Sequence, residues 1–200
     1  MKFLYLHGFA SSPGSRKAMA FREELSRRGI DLLIPALDGG DFEHLTISGQ
    51  LRIIEETLGN DPAHIIGSSM GGYLAALYAS LCPQTGRLVL MAPAFGFAER
   101  WQSKWPSGQE FEVFHYGTKQ TSRVHYGLIE DSLRYPGAPD FRQSAVIFHG
   151  KNDDVVPIDY SRAFAAAHGN AKLIEMNSDH ELIDVLDEIT ARAADFLLAH

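Results

Sequence analysis

Apolar residues cluster in six short runs: Phe3–Leu6, Leu32–Ile34, His64–Ile66, Leu88–Met91, Ala145–Phe148 and Leu173–Glu175. Each is bounded by Gly, Pro, Asp or Asn, and most are apolar at every position. A strand with one wet face alternates, so continuous runs of this length fit strands covered on both faces, as in a parallel sheet. Between the runs the apolar period becomes helical. Ser15 to Arg28 puts Ala18, Phe21 and Leu25 on one stripe, with Gly29 placed to end it. Ile47, Leu51, Ile54 and Leu58 repeat after Thr46, and Met70 to Cys82 groups Leu74, Leu77, Tyr78 and Leu81. Tyr160, Ala163, Phe164 and Ala167 follow Pro157, and the tail from Glu181 aligns Ile183, Leu186, Ile189, Ala193 and Phe196. Strand and helix alternate along the 200 residues, which predicts a three-layer α/β fold of about six mostly parallel strands flanked by helices.

One segment breaks the alternation. Residues 94–141, between the fourth and fifth predicted strands, hold ten of the chain's 21 aromatic residues. A connection that long is more often a functional cover than a plain loop. It reads as an aromatic-rich cap inserted into a single domain spanning 1–200, with Phe95, Trp101 and Trp105 as candidates for lining a substrate pocket. The competing reading is a small aromatic satellite core.

Composition narrows the function classes. Acidic residues outnumber basic ones, 25 to 18, and no dense run of Lys or Arg occurs, which counts against nucleic acid or anionic membrane as partners. A single cysteine, Cys82, leaves no disulfide framework and no cysteine-based zinc site, and it suits a reducing compartment. The apolar run Phe3–Leu6 is shorter than the ~7–15 residues of a secretion signal, and nowhere do ~18 apolar residues run unbroken. A soluble, cytoplasmic protein is expected. No H-E-x-x-H, G-x-G-x-x-G or P-loop pattern is present, so neither a metal nor any other cofactor is expected.

The sharpest chemical signal is Gly67-Ser68-Ser69-Met70-Gly71, set between a predicted strand and a predicted helix. Only Ser69 has glycine two places away on both sides. A strand that turns abruptly into a helix forces its central residue into a strained conformation, and side chains at those flanking positions would collide. A serine nucleophile needs a base, and the base needs an orienting carboxylate, in the chain order serine, acid, histidine for such a sheet. The acid candidate is Asp153, just past the fifth strand, with Asp154 as its competitor. The base candidate is His180, in the loop after the sixth strand. Near the first strand, His7-Gly8-Phe9 makes a tight turn in which the backbone N–H of Phe9, with that of Met70, would hold a tetrahedral oxyanion. His7 then serves the turn and is not the base.

Taken in order, these motifs resemble the α/β-hydrolase superfamily over nearly the whole chain. YLHGFASSPGSRKA and GSSMGGYLA further resemble the small bacterial YqiA-like serine esterases, over residues 3–18 and 64–79. HGKNDDVVP and NSDHEL match the broad superfamily pattern, whereas 94–141 matches neither in detail. The resemblance implies a trimmed sheet without the superfamily's first antiparallel strands, Ser69 as nucleophile, His180 as base, Asp153 as acid, and Phe9 and Met70 as oxyanion donors. The expected activity is that of a carboxylic ester hydrolase acting on a small-molecule ester through an acyl-enzyme. A thioesterase or peptidase of the same fold, or a small-ligand binder without catalysis, stands as the alternative.

Overall fold

A computed structural model describes residues 1–105 and 108–199. In chain order these form β1 (Lys2–Leu6), α1 (Arg16–Arg27), α2 (Ile47–Leu58), β2 (Ala63–Ser68), α3 (Met70–Leu81), β3 (Leu88–Met91) and α4 (Phe97–Gln102). There follow β4 (Phe111–His115), β5 (Gln120–Val124), α5 (Gly127–Ser132), β6 (Ala145–Gly150), α6 (Asp159–Ala167), β7 (Ala171–Met176) and α7 (Leu186–Leu198). Strands β1, β2, β3, β6 and β7 lie side by side in that order and pair in parallel throughout.

The continuous apolar runs have the expected cause. Alternate residues of each strand face opposite helical layers. Leu4, Leu6, Ile65, Leu88, Leu90 and Ile147 pack with α2, α3 and Phe164 of α6. Phe3, Tyr5, Ile66, Val89, Met91, Val146 and Phe148 pack with Ala18, Phe21 and Leu25 of α1 and Ile189, Ala193 and Leu197 of α7. Helix ends follow local chemistry. Ser15 Oγ accepts from the Ala18 N–H, Thr46 Oγ1 accepts from the Gly49 N–H at 3.0 Å, and Gly29 takes φ +75° where α1 stops.

Two expectations change. The run Leu32–Ile34 contributes one parallel bridge, Leu33 to Leu4, and not a sixth strand. Leu33 donates to Phe3 O at 2.9 Å and accepts from Tyr5 N at 2.8 Å, but the next donor in that ladder would be residue 35, a proline without an N–H. The last helix begins at Leu186, not near Glu181, because Leu182 takes φ +56° and the Asp179 carboxylate accepts from the N–H groups of Glu181 and Leu182. The described part of 94–141 contains an antiparallel hairpin, β4–β5, and two six-residue helices.

Leu33 lies beyond β1 on one side and β2 on the other, so the winding direction reverses between β1 and β2. The crevice outside the carboxyl ends of two such strands is where open α/β sheets receive ligands. Among the described residues, no helix is long and apolar enough to cross a membrane.

Candidate active site

Ser69 sits at the crevice, between β2 and α3, with φ +54° and ψ −117°. A Cβ on Gly67 would stand 2.2 Å from the Gly71 carbonyl oxygen, and one on Gly71 would stand 2.1 Å from that of Leu6. The first cannot yield without disrupting the start of α3, nor the second without disturbing β1, which explains both glycines. Ser69 is the residue before α3, yet its side chain makes no capping bond. The hydroxyl is turned outward to His180, with Oγ 3.1 Å from Nε2.

His180 follows β7, and its Nδ1 lies 2.7 Å from Asp153 Oδ2. An ionised carboxylate only accepts, so Nδ1 carries the proton and Nε2 is left to accept from the Ser69 hydroxyl. The two loops approach through Gly150, where a Cβ would stand 2.4 Å from the carbonyl oxygens of Ser178 and Asp179. Backbone bonds from Lys151 N to Met176 O (2.8 Å) and Asn152 N to Ser178 O (3.0 Å) lock them together.

The Asp153 carboxylate is shielded from solvent and has four donors. Oδ1 accepts from Val155 N at 2.9 Å and Val156 N at 2.7 Å; Oδ2 accepts from His180 and from His149 Nε2 at 3.1 Å. Burial alone would raise its pKa, but the hydrogen bonds from His149, His180 and the Val156 N–H outweigh burial and hold it well below the usual carboxylate range. His149 is the penultimate residue of β6. It is fully buried, and its Nε2–H also faces Val156 O at 2.9 Å while Nδ1 accepts from Ser161 Oγ at 2.7 Å. Two histidines therefore hold one aspartate. Asp154 is exposed and takes no part.

On the other side of Ser69, a Cβ on Gly8 would lie 3.4 Å from Ser69 Cβ, so the turn after β1 passes directly beside the hydroxyl-bearing residue. Phe9 lines the cavity there, and Met70 is the first residue of α3. His7 is buried away from Ser69. Its Nδ1–H donates to Gly8 O at 3.0 Å and its Nε2 accepts from Leu37 N at 3.3 Å.

A cavity of about 410 Å³ opens over Ser69 and His180, with Tyr5, Gly8, Phe9, Ser11, Arg16, Lys17, Tyr116, Lys119, Glu181 and Ile183 among its walls. The three aromatics expected to line it stand elsewhere. Phe95 is fully buried and stacks on Phe164 at 4.7 Å, while Trp105 stacks on Phe111 at 4.2 Å. Trp101 packs edge-on against Phe9, Phe97 and Trp105. Broad apolar rings remove more area from water against one another and the core than along a polar rim, and Phe95, Phe97 and Phe111 join the core on the α2–α3 face of the sheet, with Trp101 and Trp105 packed against it. The excursion reaches the cavity instead through the β4–β5 turn. Tyr116 N–H donates to Ala10 O at 2.8 Å, and a Cβ on Gly117 would stand 2.7 Å from Ser12 Cβ. Backbone strain concentrates in the same place. Of the non-glycine residues with positive φ, Ala10, Ser69, Lys119 and Leu182 lie in or next to the cavity wall, with Ala92 the exception. Among the described residues, no cluster of His, Cys, Asp or Glu is arranged to hold a metal ion.

Residues 2–197 match a family model described as an uncharacterised protein family, UPF0227. Solved structures of α/β-hydrolases superpose over nearly the whole chain. Est1E from Butyrivibrio proteoclasticus is 20% identical, with a TM-score of 0.80 over 98% of this chain and 86% of that one. Alpha/beta hydrolase domain-containing protein 10 from mouse is 19% identical, with a TM-score of 0.80 over 98% and 88%. A monoacylglycerol lipase from Paleococcus ferrophilus is 15% identical, with a TM-score of 0.81 over 99% and 94%. At such identities the likeness speaks for the fold, and the fold is that of an α/β-hydrolase.

Proposed function

The chain belongs to the uncharacterised protein family UPF0227, and from that premise and the geometry of the site we propose that it is a serine hydrolase cleaving carboxylic esters. The observation that carries this reading is the unbroken line of hydrogen bonds from Asp153 through His180 to Ser69. Ser69 Oγ attacks the ester carbonyl carbon while its proton passes to His180 Nε2. The backbone N–H groups of Phe9 and Met70 receive the oxyanion. When the tetrahedral species collapses, the carbon–alkoxide bond breaks and His180 gives its proton to the departing alcohol. A water then repeats the sequence on the acyl-enzyme, releasing the acid and restoring Ser69. Asp153 holds the imidazole in its Nδ1–H tautomer and stabilises it while it is charged. The monoacylglycerol lipase named among the solved structures supports ester hydrolysis by analogy of fold.

A fluorophosphonate probe tests this directly. It should label Ser69 in the folded protein and leave the Ser69→Ala variant unlabelled, and the variant should cleave p-nitrophenyl butyrate roughly 10⁴-fold more slowly or worse. Absence of labelling, or a wild-type rate in the variant, would overturn the assignment.

A further inference from the structure

Ester cleavage as derived above makes no use of the charge on the cavity walls. Arg16, Lys17 and Lys119 line the cavity, against one carboxylate, Glu181. That surplus runs opposite to the net charge of −7 on the whole chain. Among the described residues, neither Arg16 nor Lys119 has an ion-pair partner, so both are free to face a ligand. Lys119 is held at the rim with φ +58°, its N–H donating to His115 O at 2.7 Å. Lys17 is the most enclosed of the three. Its side chain is 11% exposed, and its ammonium meets Glu181 at 3.4 Å, a carboxylate that is itself 64% exposed. An ammonium with three donors and one long contact has bonding capacity left over.

We propose that the cavity selects esters bearing a carboxylate, held by Lys17 with Arg16 and Lys119 at the rim, while the scissile carbonyl meets Ser69. A carboxylate fits better than a phosphate monoester. One enclosed ammonium already shared with Glu181 matches a single negative charge, whereas a phosphate monoester brings nearly two. The positive rim also draws an anion to the crevice of an otherwise acidic protein. The inference rests on the serine-hydrolase reading, because it assigns the second half of the same substrate.

Two matched pairs of esters test it. p-Nitrophenyl hemisuccinate against p-nitrophenyl pentanoate places the carboxylate on the acyl half. 4-Carboxyphenyl acetate against 4-(methoxycarbonyl)phenyl acetate places it on the alcohol half. The wild-type protein should favour the anionic member of one pair by about tenfold in kcat/KM, as expected for a charge-assisted hydrogen bond. Lys17→Gln should reduce that ratio by about tenfold, and Glu181→Gln, which removes the competing carboxylate, should raise it. No anionic preference in either pair, or a ratio indifferent to both substitutions, would sink the proposal and leave ester hydrolysis standing. Failure to cleave all four esters, with Ser69 unlabelled by the fluorophosphonate, would remove the hydrolase reading and this inference with it.

Discussion

The carboxyl edge of the sheet and the excursion of residues 94–141 meet at one cavity, but they are held in place by different means. Along the edge, backbone sits against backbone. A Cβ at Gly67, Gly71 or Gly150 would lie 2.1 to 2.4 Å from a carbonyl oxygen of another segment. In the excursion, side chains carry the packing, beside isolated backbone bonds such as Tyr116 N–H to Ala10 O. Phe95 lies on Phe164, Trp105 lies on Phe111, and Asp131 accepts from the N–H and hydroxyl of Ser48 at the start of α2. Where the excursion touches the cavity, at Gly117, the nearest obstacle is a side-chain atom of Ser12. Strand backbone cannot give way without unzipping a ladder, whereas Ser12 lies in a loop outside any ladder and can shift with it. The edge therefore supplies fixed positions suited to bond making, and the excursion supplies an adjustable wall suited to substrate choice.

The edge is most sharply broken at Asp153. All its donors expect a full carboxylate, and an amide at that position presents an N–H to another N–H and invites His180 into the wrong tautomer. Asp153→Asn should lower kcat on p-nitrophenyl butyrate by roughly 10³–10⁴. Asp154→Asn, on an exposed side chain, should stay within about twofold. Equal, modest losses in both would discredit Asp153 as the orienting group.

The next contrast compares two added methyl groups. Gly71→Ala drives a Cβ into the Leu6 carbonyl and should cost at least about 3 kcal/mol, at the upper end for overpacking, measured by urea denaturation. Gly117→Ala meets Ser12 Cβ at 2.7 Å and His115 Cε1 at 3.0 Å, outside the parallel sheet, and should cost about 1 kcal/mol while changing the ranking of esters of different size. Comparable stability losses in the two would erase the distinction between a backbone-locked edge and an adjustable wall.

The same distinction explains what was legible in the sequence. The five parallel strands and the spacing around Ser69 could be read because their causes are local: burial on both faces, and glycines flanking an abrupt turn. Asp153 and His180 could be placed because each follows a strand within a few residues. Pro35 was visible beyond Leu32–Ile34, but its effect depended on which β1 carbonyl lay opposite. The hairpin was hidden because β4 reads Phe-Glu-Val-Phe-His, in which Phe114 points outward and spoils the alternation, and β5 is mostly polar. Helices α4 and α5 are six residues each, too short to show a period. The cavity walls come from residues 5–17, 116–119 and 180–183, which only the tertiary fold assembles. Likewise, nothing in a single histidine before Gly150 announces that it holds Asp153.

The smallest effect concerns the seam between the two regions, where His7 of the edge lies near His115 of the hairpin. Burial pushes the His7 imidazole below its ordinary value of 6.5, and repulsion from His115 adds to this, against the opposing pull of the Gly8 carbonyl and Asp38. Its neutral form is also the one the bonds require, since Nε2 must accept from Leu37 N. Above pH 6.5 the imidazole is neutral in both the folded and unfolded chain and contributes no pH dependence. As the pH falls below 6.5, the unfolded chain takes up a proton that the folded one refuses, so stability declines until the folded pKa is reached. His7→Gln keeps an acceptor for Leu37 but cannot be charged. Between pH 7.5 and 5.5 the Tm of the wild type should therefore fall further than that of the variant, whatever their difference at neutral pH. Parallel slopes would mean that His7 accepts a proton in place, and that the turn beside Ser69 is looser than the backbone contacts around it.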